Sequence, residues 1–171
     1  MPANIYPIDG RAGVNLTATY VSAGAAPMAL GTTVRLNDGG MAMLVESSAS
    51  ACSTFAAVVI NESYVATMVT TGNVRSSGNQ IAFAQTSIAT GYCGWVQFGG
   101  RPKVNLATNC APFVPLFTTA TAGVLSSATI SAASGGVVIG VMAAVSISNA
   151  TAVTCMSHNG PFVDFNLFTR V

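Results

Sequence analysis

The chain has 171 residues, of which 51% are hydrophobic and only 6% charged, and its formal net charge is +1. That length fits one domain with a full core, since a domain of this size buries about 70% of the surface its unfolded chain exposes. The six cations, Arg11, Arg35, Arg75, Arg101, Lys103 and Arg170, are scattered along the chain, which excludes an electrostatic footprint for nucleic acid; a surface so poor in charge suits close packing against other protein copies instead.

Taken in order, residues 1–30 carry Gly10, Gly13, Gly24, Pro2, Pro7 and Pro27 without a sustained period, and they predict an extended N-terminal arm ahead of a β domain over 31–171. Ile5, Tyr6, Ile8, Val14 and Leu16 are too apolar for a free tail, so they are the candidate interface residues, expected on a neighbouring copy or another protein surface. For Ile5, Tyr6 and Ile8, packing on their own domain is an equal expectation. Val34, Arg35 and Leu36, the turn Asn37-Asp38-Gly39-Gly40 and the return 41–45 predict a hairpin, because Asp-Gly between β-rich runs supplies the positive φ of a tight turn. The Ser- and Ala-rich stretch 46–57 reads as a loop carrying one short helix. Ala57-Val58-Val59-Ile60 reads as a strand, and 64–71 as another apolar run that the polar breaker 71–79 ends.

The stretch 80–125 alternates short apolar runs with turn signals. Cys93 to Phe98, the Gly99-Gly100 pair and the return from Lys103 to Ala107 predict a second hairpin, with Val104 and Leu106 on its dry face and Lys103 and Asn105 on its wet face. Arg101 and Lys103 read as a solvated edge. Asn109 to Pro112 closes the unit, and 113–118 begins a further extended run. Residues 137–145 form a continuous apolar run, which predicts a doubly buried central strand. The last two runs, 152–156 and 161–168, surround a turn signal at Ser157-His158-Asn159-Gly160. About eight to ten short strands at this spacing predict an all-β fold, a single small β-sandwich or barrel of jelly-roll-like or β-tulip-like form.

Chemistry-bearing patterns are sparse. Any acid–base mechanism must pass through His158, the only histidine, and its surroundings read as loop. Gly91-Tyr92-Cys93-Gly94-Trp95 resembles the nucleophile region of papain-like proteases, but it lies in a strand pattern where those enzymes start a helix. Cys52, Cys93, Cys110 and Cys155 form no C-x-x-C pair, so the expectation is four reduced, partly buried structural thiols and no metal. Asp9, Asp38, Glu46, Glu62 and Asp164 form no calcium loop, and no nucleotide-binding loop is present. The sequons at Asn15, Asn61 and Asn149 are matches of the kind that arise by chance in a Ser- and Thr-rich chain. The apolar run 137–147 is well short of the roughly 20 residues a spanning helix needs. No leader pattern opens the sequence, which implies synthesis in the cytoplasm.

The placement of Gly, Trp and Thr carries a resemblance to a known family. The run 80–100, which contains Gly91, Tyr92, Cys93, Gly94 and Trp95, is followed by Val104-Asn105-Leu106-Ala107, Cys110-Ala111-Pro112 and the run 116–125. Together with the turn at Asp38-Gly39-Gly40 and the later Gly140-Val141, these resemble capsid decoration (cement) proteins of tailed bacteriophages over roughly residues 30–145. The resemblance implies a small β domain, often trimeric, that binds the outer face of an assembled shell and bridges neighbouring major capsid subunits. It implies no catalytic residues and no cofactor. The expected partners are the major capsid protein and further copies of the chain, a trimer being favoured, with neither nucleic acid nor membrane. The expected location is the outer capsid surface, after synthesis in the host bacterial cytoplasm. The alternative of another class is a receptor- or glycan-binding β module of a phage spike or bacterial adhesin, its shallow site built from Trp95, Tyr92 and Asn and Asp side chains.

Overall fold

The computed structural model describes residues 14–47, 50–73, 80–128 and 136–164, with side chains described as far as Ser157. The described chain is all β. Its only helical element is one 3₁₀ turn, Ala23–Ala25. Twelve strands are present among these residues: β1 Thr19–Tyr20, β2 Thr33–Arg35, β3 Met41–Ser47, β4 Ala57–Ile60, β5 Val65–Met68, β6 Gln80–Ala84, β7 Cys93–Gln97, β8 Lys103–Leu106, β9 Leu116–Thr118, β10 Leu125–Ser126, β11 Val137–Ala143 and β12 Thr151–Asp164.

The pairings close two rings. In the first, the order β7-β3-β5-β4-β6 returns on itself because β6 also pairs β7, through Phe83 with Gln97 and Ala84 with Val96. In the second, β12-β11-β9-β10-β8 returns because β8 pairs β12, with Val104 opposite Val153 and Leu106 opposite Thr151. The rings meet where Phe162 of β12 pairs Gln80 of β6. Closure removes the unpaired edges that an open sheet of short strands would present to other chains.

Side-chain alternation then builds three clusters. Met43 and Val45, Val58 and Ile60, Ala82 and Ala84, and Val96 share the interior of the first ring. The opposite residues of β4 and β6, namely Ala57, Val59, Ile81 and Phe83, join Val104, Leu106, Leu116, Leu125, Val138 and Cys155 of the second ring. Strands β4 and β6 are therefore a common wall, dry on both faces. On the outer side of β3 and β7, Ala42, Leu44, Cys93 and Trp95 pack with Val14, Leu16 and Leu36.

Several local expectations match this fold, and others are corrected by it. The β2–β3 hairpin forms about the Asp38 turn, with Thr33 opposite Met43 and Arg35 opposite Met41. Val104 and Leu106 are buried, and Lys103 is exposed. Strands β7 and β8, however, are not a hairpin: β7 pairs β3, β6 and β1, whereas β8 pairs β12 and β10. Gly100 instead hooks onto β12, donating its N–H to the Ser157 carbonyl at 3.0 Å and accepting from the Ser157 N–H at 2.9 Å. The glycine pair carries the chain from one ring to the other. Strand β11 is also not doubly buried, since Ile139, Gly140 and Met142 are only partly covered. That position belongs to β4 and β6. In place of the expected short helix within 46–57, β3 continues to Ser47 and the described residues 50–56 are irregular backbone held by a bridge between Cys52 and Ile88. Residues 157–160 do not end a strand. They lie within β12, whose register against β11 shifts so that Gly140, at φ 89°, stands alone opposite 158–161. The turn signal is absorbed as a bulge, and the positive φ falls to a glycine on the facing strand.

Candidate interaction surface

Of the candidate interface residues, Ile5, Tyr6 and Ile8 lie outside the described residues. Val14 and Leu16 are 4% and 5% exposed and pack against the β3–β7 face. Beyond them, β1 extends the sheet by pairing Thr19 with Gly94 and Tyr20 with Cys93. Residues 14–20 are thus held by their own domain.

The groups with nucleophilic or binding chemistry are mostly sequestered. All four cysteines are unpaired thiols in buried positions. Burial pushes the Cys52 thiol up, and the Ser47 hydroxyl only partly offsets it. Burial, with the Glu46 carboxylate on the adjacent strand, raises Cys93. Burial and the neighbouring Cys110 push Cys155 up to about 12. A thiol so raised supplies almost no thiolate near neutrality, so none of these three is an activated nucleophile. No cluster of three or more metal-ligating side chains occurs among the described residues. Among the same residues, no helix is long and apolar enough to cross a membrane. Trp95 is 1% exposed, so it is core and offers no platform to a sugar ring.

The Asp38 carboxylate has a defined structural task. Its Oδ1 accepts the Gly40 N–H at 2.9 Å, which closes the β2–β3 turn. Its Oδ2 accepts the Arg101 N–H at 3.2 Å and the Gln97 side-chain amide at 3.3 Å. The hairpin tip is thereby buckled to the crossover between the rings. A Cβ on Gly40 would run into the Gly99 carbonyl oxygen, and one on Gly100, at φ 78°, would lie 2.7 Å from Asp38 Oδ2. Asp38→Ala removes an acceptor from the buried Gln97 amide and from two backbone donors, and is expected to lower stability by about 2–3 kcal/mol. Asp38→Asn, which keeps one side-chain oxygen, should recover part of that. Urea midpoints for the two variants check the expectation, and an unchanged midpoint for Asp38→Ala would refute the buckle.

Apolar surface gathers at one end of the second ring. Phe113 is 63% exposed, and Val145 is 52% exposed. Phe113 adopts φ 55°, a left-handed conformation that costs a bulky residue on the order of 1–3 kcal/mol and persists only where its surroundings enforce it. The enforcement is visible. Its N–H donates to the Ala143 carbonyl at 3.0 Å, the Ala111 N–H donates to Ser127 Oγ at 2.9 Å, and Cys110 bridges Ile147. Beside this loop, Pro115 and the β11 residues 137–142 line an apolar groove of about 360 Å³. A second hollow of about 360 Å³ is lined by residues 145–149, Thr151 and Val153, with Ser146 and Asn149 among its polar walls.

The charge distribution singles out the same ring. Positions 104–163 contain no Lys, Arg, Asp or Glu, and they supply β9, β10 and β11 and nearly all of β8 and β12. The other charged residues in described positions fall on the first ring and its hairpin, at Arg101 in the crossover, and at the two margins of this run, Lys103 opening β8 and Asp164 closing β12 opposite Val137; Lys103 Nζ stands 5.4 Å from the Phe55 ring centroid. Total composition conceals this asymmetry. Counting charge along the chain would have found it, whereas the Phe113 conformation has no sequence signal, since Pro112 and Pro115 read equally well as an extended run.

No family model matches the chain, and no curated protein matches it.

Proposed function

We propose that the protein is a structural component of a phage virion, which binds the outer surface of the capsid and stabilises the shell by bridging neighbouring major capsid subunits. The observation that carries this reading is the charge-free run 104–163, which makes up most of the second ring, with its firmly presented apolar end. Such a lobe can be desolvated against another protein without stranding an unpaired charge, which would otherwise be a large penalty at a protein interface. A clamp of this kind works through area and repetition, because many modest contacts around a closed shell add avidity that one contact lacks. The resemblance of residues 30–145 to capsid decoration proteins points the same way, and the function requires no catalysis. In this reading the chain also associates with itself, as a trimer by preference. A glycan-binding module is the weaker reading, because its strongest candidate platform, Trp95, is buried in the core.

The test is addition of purified protein to capsids assembled without it. Saturable co-sedimentation at a fixed ratio to the major capsid protein, with a higher disruption temperature for the shell, is the expected result. Absence of binding at micromolar protein would overturn the proposal.

A further inference from the structure

We infer that the end of the first ring at Glu46 is a socket for the guanidinium of an arginine on another protein, with the Glu46 carboxylate as its counter-charge and Tyr20 and Tyr64 as the rings beside it. The socket lies on the first ring, away from the apolar end of the second, and does not depend on the capsid reading.

Strand register builds it. Glu46 of β3 stands opposite Cys93 of β7, and Cys93 stands opposite Tyr20 of β1. On its other side Glu46 pairs Val65 of β5, the residue after Tyr64. Val45 and Ala66 belong to the interior of the first ring, so alternation sets Glu46 and Val65 on the outer face, where Cys93 and Tyr20 also pack. The backbones of Tyr20 and Glu46 are two strand spacings apart, roughly 10 Å, and Cys93 between them is too short to separate the longer side chains. Tyr64 is held on the opposite flank. It adopts φ 60°, a left-handed conformation that a bulky residue keeps only where its surroundings enforce it. Its N–H donates to the Asn61 carbonyl at 3.0 Å, its own carbonyl accepts the Glu46 N–H at 3.1 Å, and Asn61 Oδ1 accepts the Val65 N–H at 2.9 Å. Its ring lies against Gly31, where a Cβ would run into it, yet the residue stays 42% exposed.

The occupant follows from charge. Glu46 is partly buried and makes no side-chain hydrogen bond or ion pair among the described residues, whereas the Asp38 carboxylate accepts from three N–H donors. Withdrawing a carboxylate from water without a partner costs stability, and a cation brought to it offsets that cost. The described cations stand elsewhere. Arg35 is opposite Met41 at the far end of β3, Arg101 is at the Asp38 turn, and Lys103 is over Phe55. A partner must therefore supply the charge. Guanidinium suits both walls at once, because its fork meets two carboxylate oxygens while its plane stacks on an aromatic face.

The experiment is an NMR titration of the full chain with N-acetyl-arginine amide, and with the uncharged N-acetyl-citrulline amide as control. Saturable shifts of the Tyr20, Glu46 and Tyr64 signals are expected, with a dissociation constant on the order of 1–10 mM and binding of the citrulline probe at least about 10-fold weaker. Glu46→Gln should weaken arginine binding about 10-fold or more and leave the melting temperature unchanged or higher, because an unpaired carboxylate contributes nothing to the free fold. Tyr64→Gly accommodates the left-handed backbone and removes the ring, so it should weaken binding about 2- to 10-fold. No saturable shift with the arginine probe, or an equal response from the citrulline probe or from Glu46→Gln, would overturn the inference. A lower melting temperature for Glu46→Gln would overturn it as well, since it would mean that a cation of this chain already fills the socket.

Discussion

A chain beginning at residue 21 is expected to be less stable than one beginning at residue 14 by about 5 kcal/mol or more. The longer deletion removes Val14 and Leu16 from the outer face of β3 and β7 and strips β1 from the edge of β7. Burial of each of these two side chains contributes about 1.5–3 kcal/mol. Leu36, Leu44 and Trp95, all fully or nearly fully covered in the intact fold, would then face water. Against a total stability of about 5–15 kcal/mol, that loss can unfold the domain. Chemical denaturation of the two truncations checks this, and equal midpoints for both would show that residues 14–20 are dispensable. The shorter truncation isolates Ile5, Tyr6 and Ile8: reduced capsid attachment with unchanged stability is the outcome expected if they reach a partner.

The second large effect is expected at the common wall. Phe83 is fully buried between the rings, and Phe83→Ala should cost about 3–5 kcal/mol through lost transfer energy and the cavity left behind. The consequence should be felt in both rings together, because Ala82 and Ala84 on the same strand face the first-ring interior. The protein is therefore expected to unfold in one cooperative transition rather than ring by ring. The thiols report on this directly. Cys52 belongs to the first-ring cluster and Cys155 to the second, so their alkylation rates in Phe83→Ala should rise in parallel. Exposure of Cys155 alone, or a melt in two steps, would mean that the second ring opens independently.

Much of the local structure is legible in the sequence. Asp38-Gly39 marks a reversal because the positive φ of Gly39, 80°, costs glycine nothing. The alternation in β8 places Val104 and Leu106 inside and Lys103 outside. Partner choice is not legible. Gly99-Gly100 has the composition of a hairpin turn, yet Gly100 is needed for close approach to the Asp38 turn, and the Asp38 contact with Arg101 joins positions 63 residues apart. Apolar content misleads in a similar way: the uninterrupted run at β11 is covered mainly on one side, while β6, with Ala82, Phe83 and Ala84 in succession, is covered on both.

The interface residues divide along the same line. Val14 and Leu16 are too apolar to remain in water, but hydrophobicity specifies burial without specifying against what, and the β3–β7 face of the same chain supplies the cover. Phe113 carries no signal in the sequence, because its exposure results from a loop that three distant anchors hold in place. By itself the sequence determined the all-β class, many of the chain reversals, the faces of individual strands and the absence of charge along 104–163, each of which depends only on neighbouring side chains. Ring closure, the common wall and the projection of Phe113 were decided by the tertiary structure alone. Backbone ladders pair any strand with any other at nearly the same energy, so the choice among partners falls to packing between residues that the sequence keeps far apart.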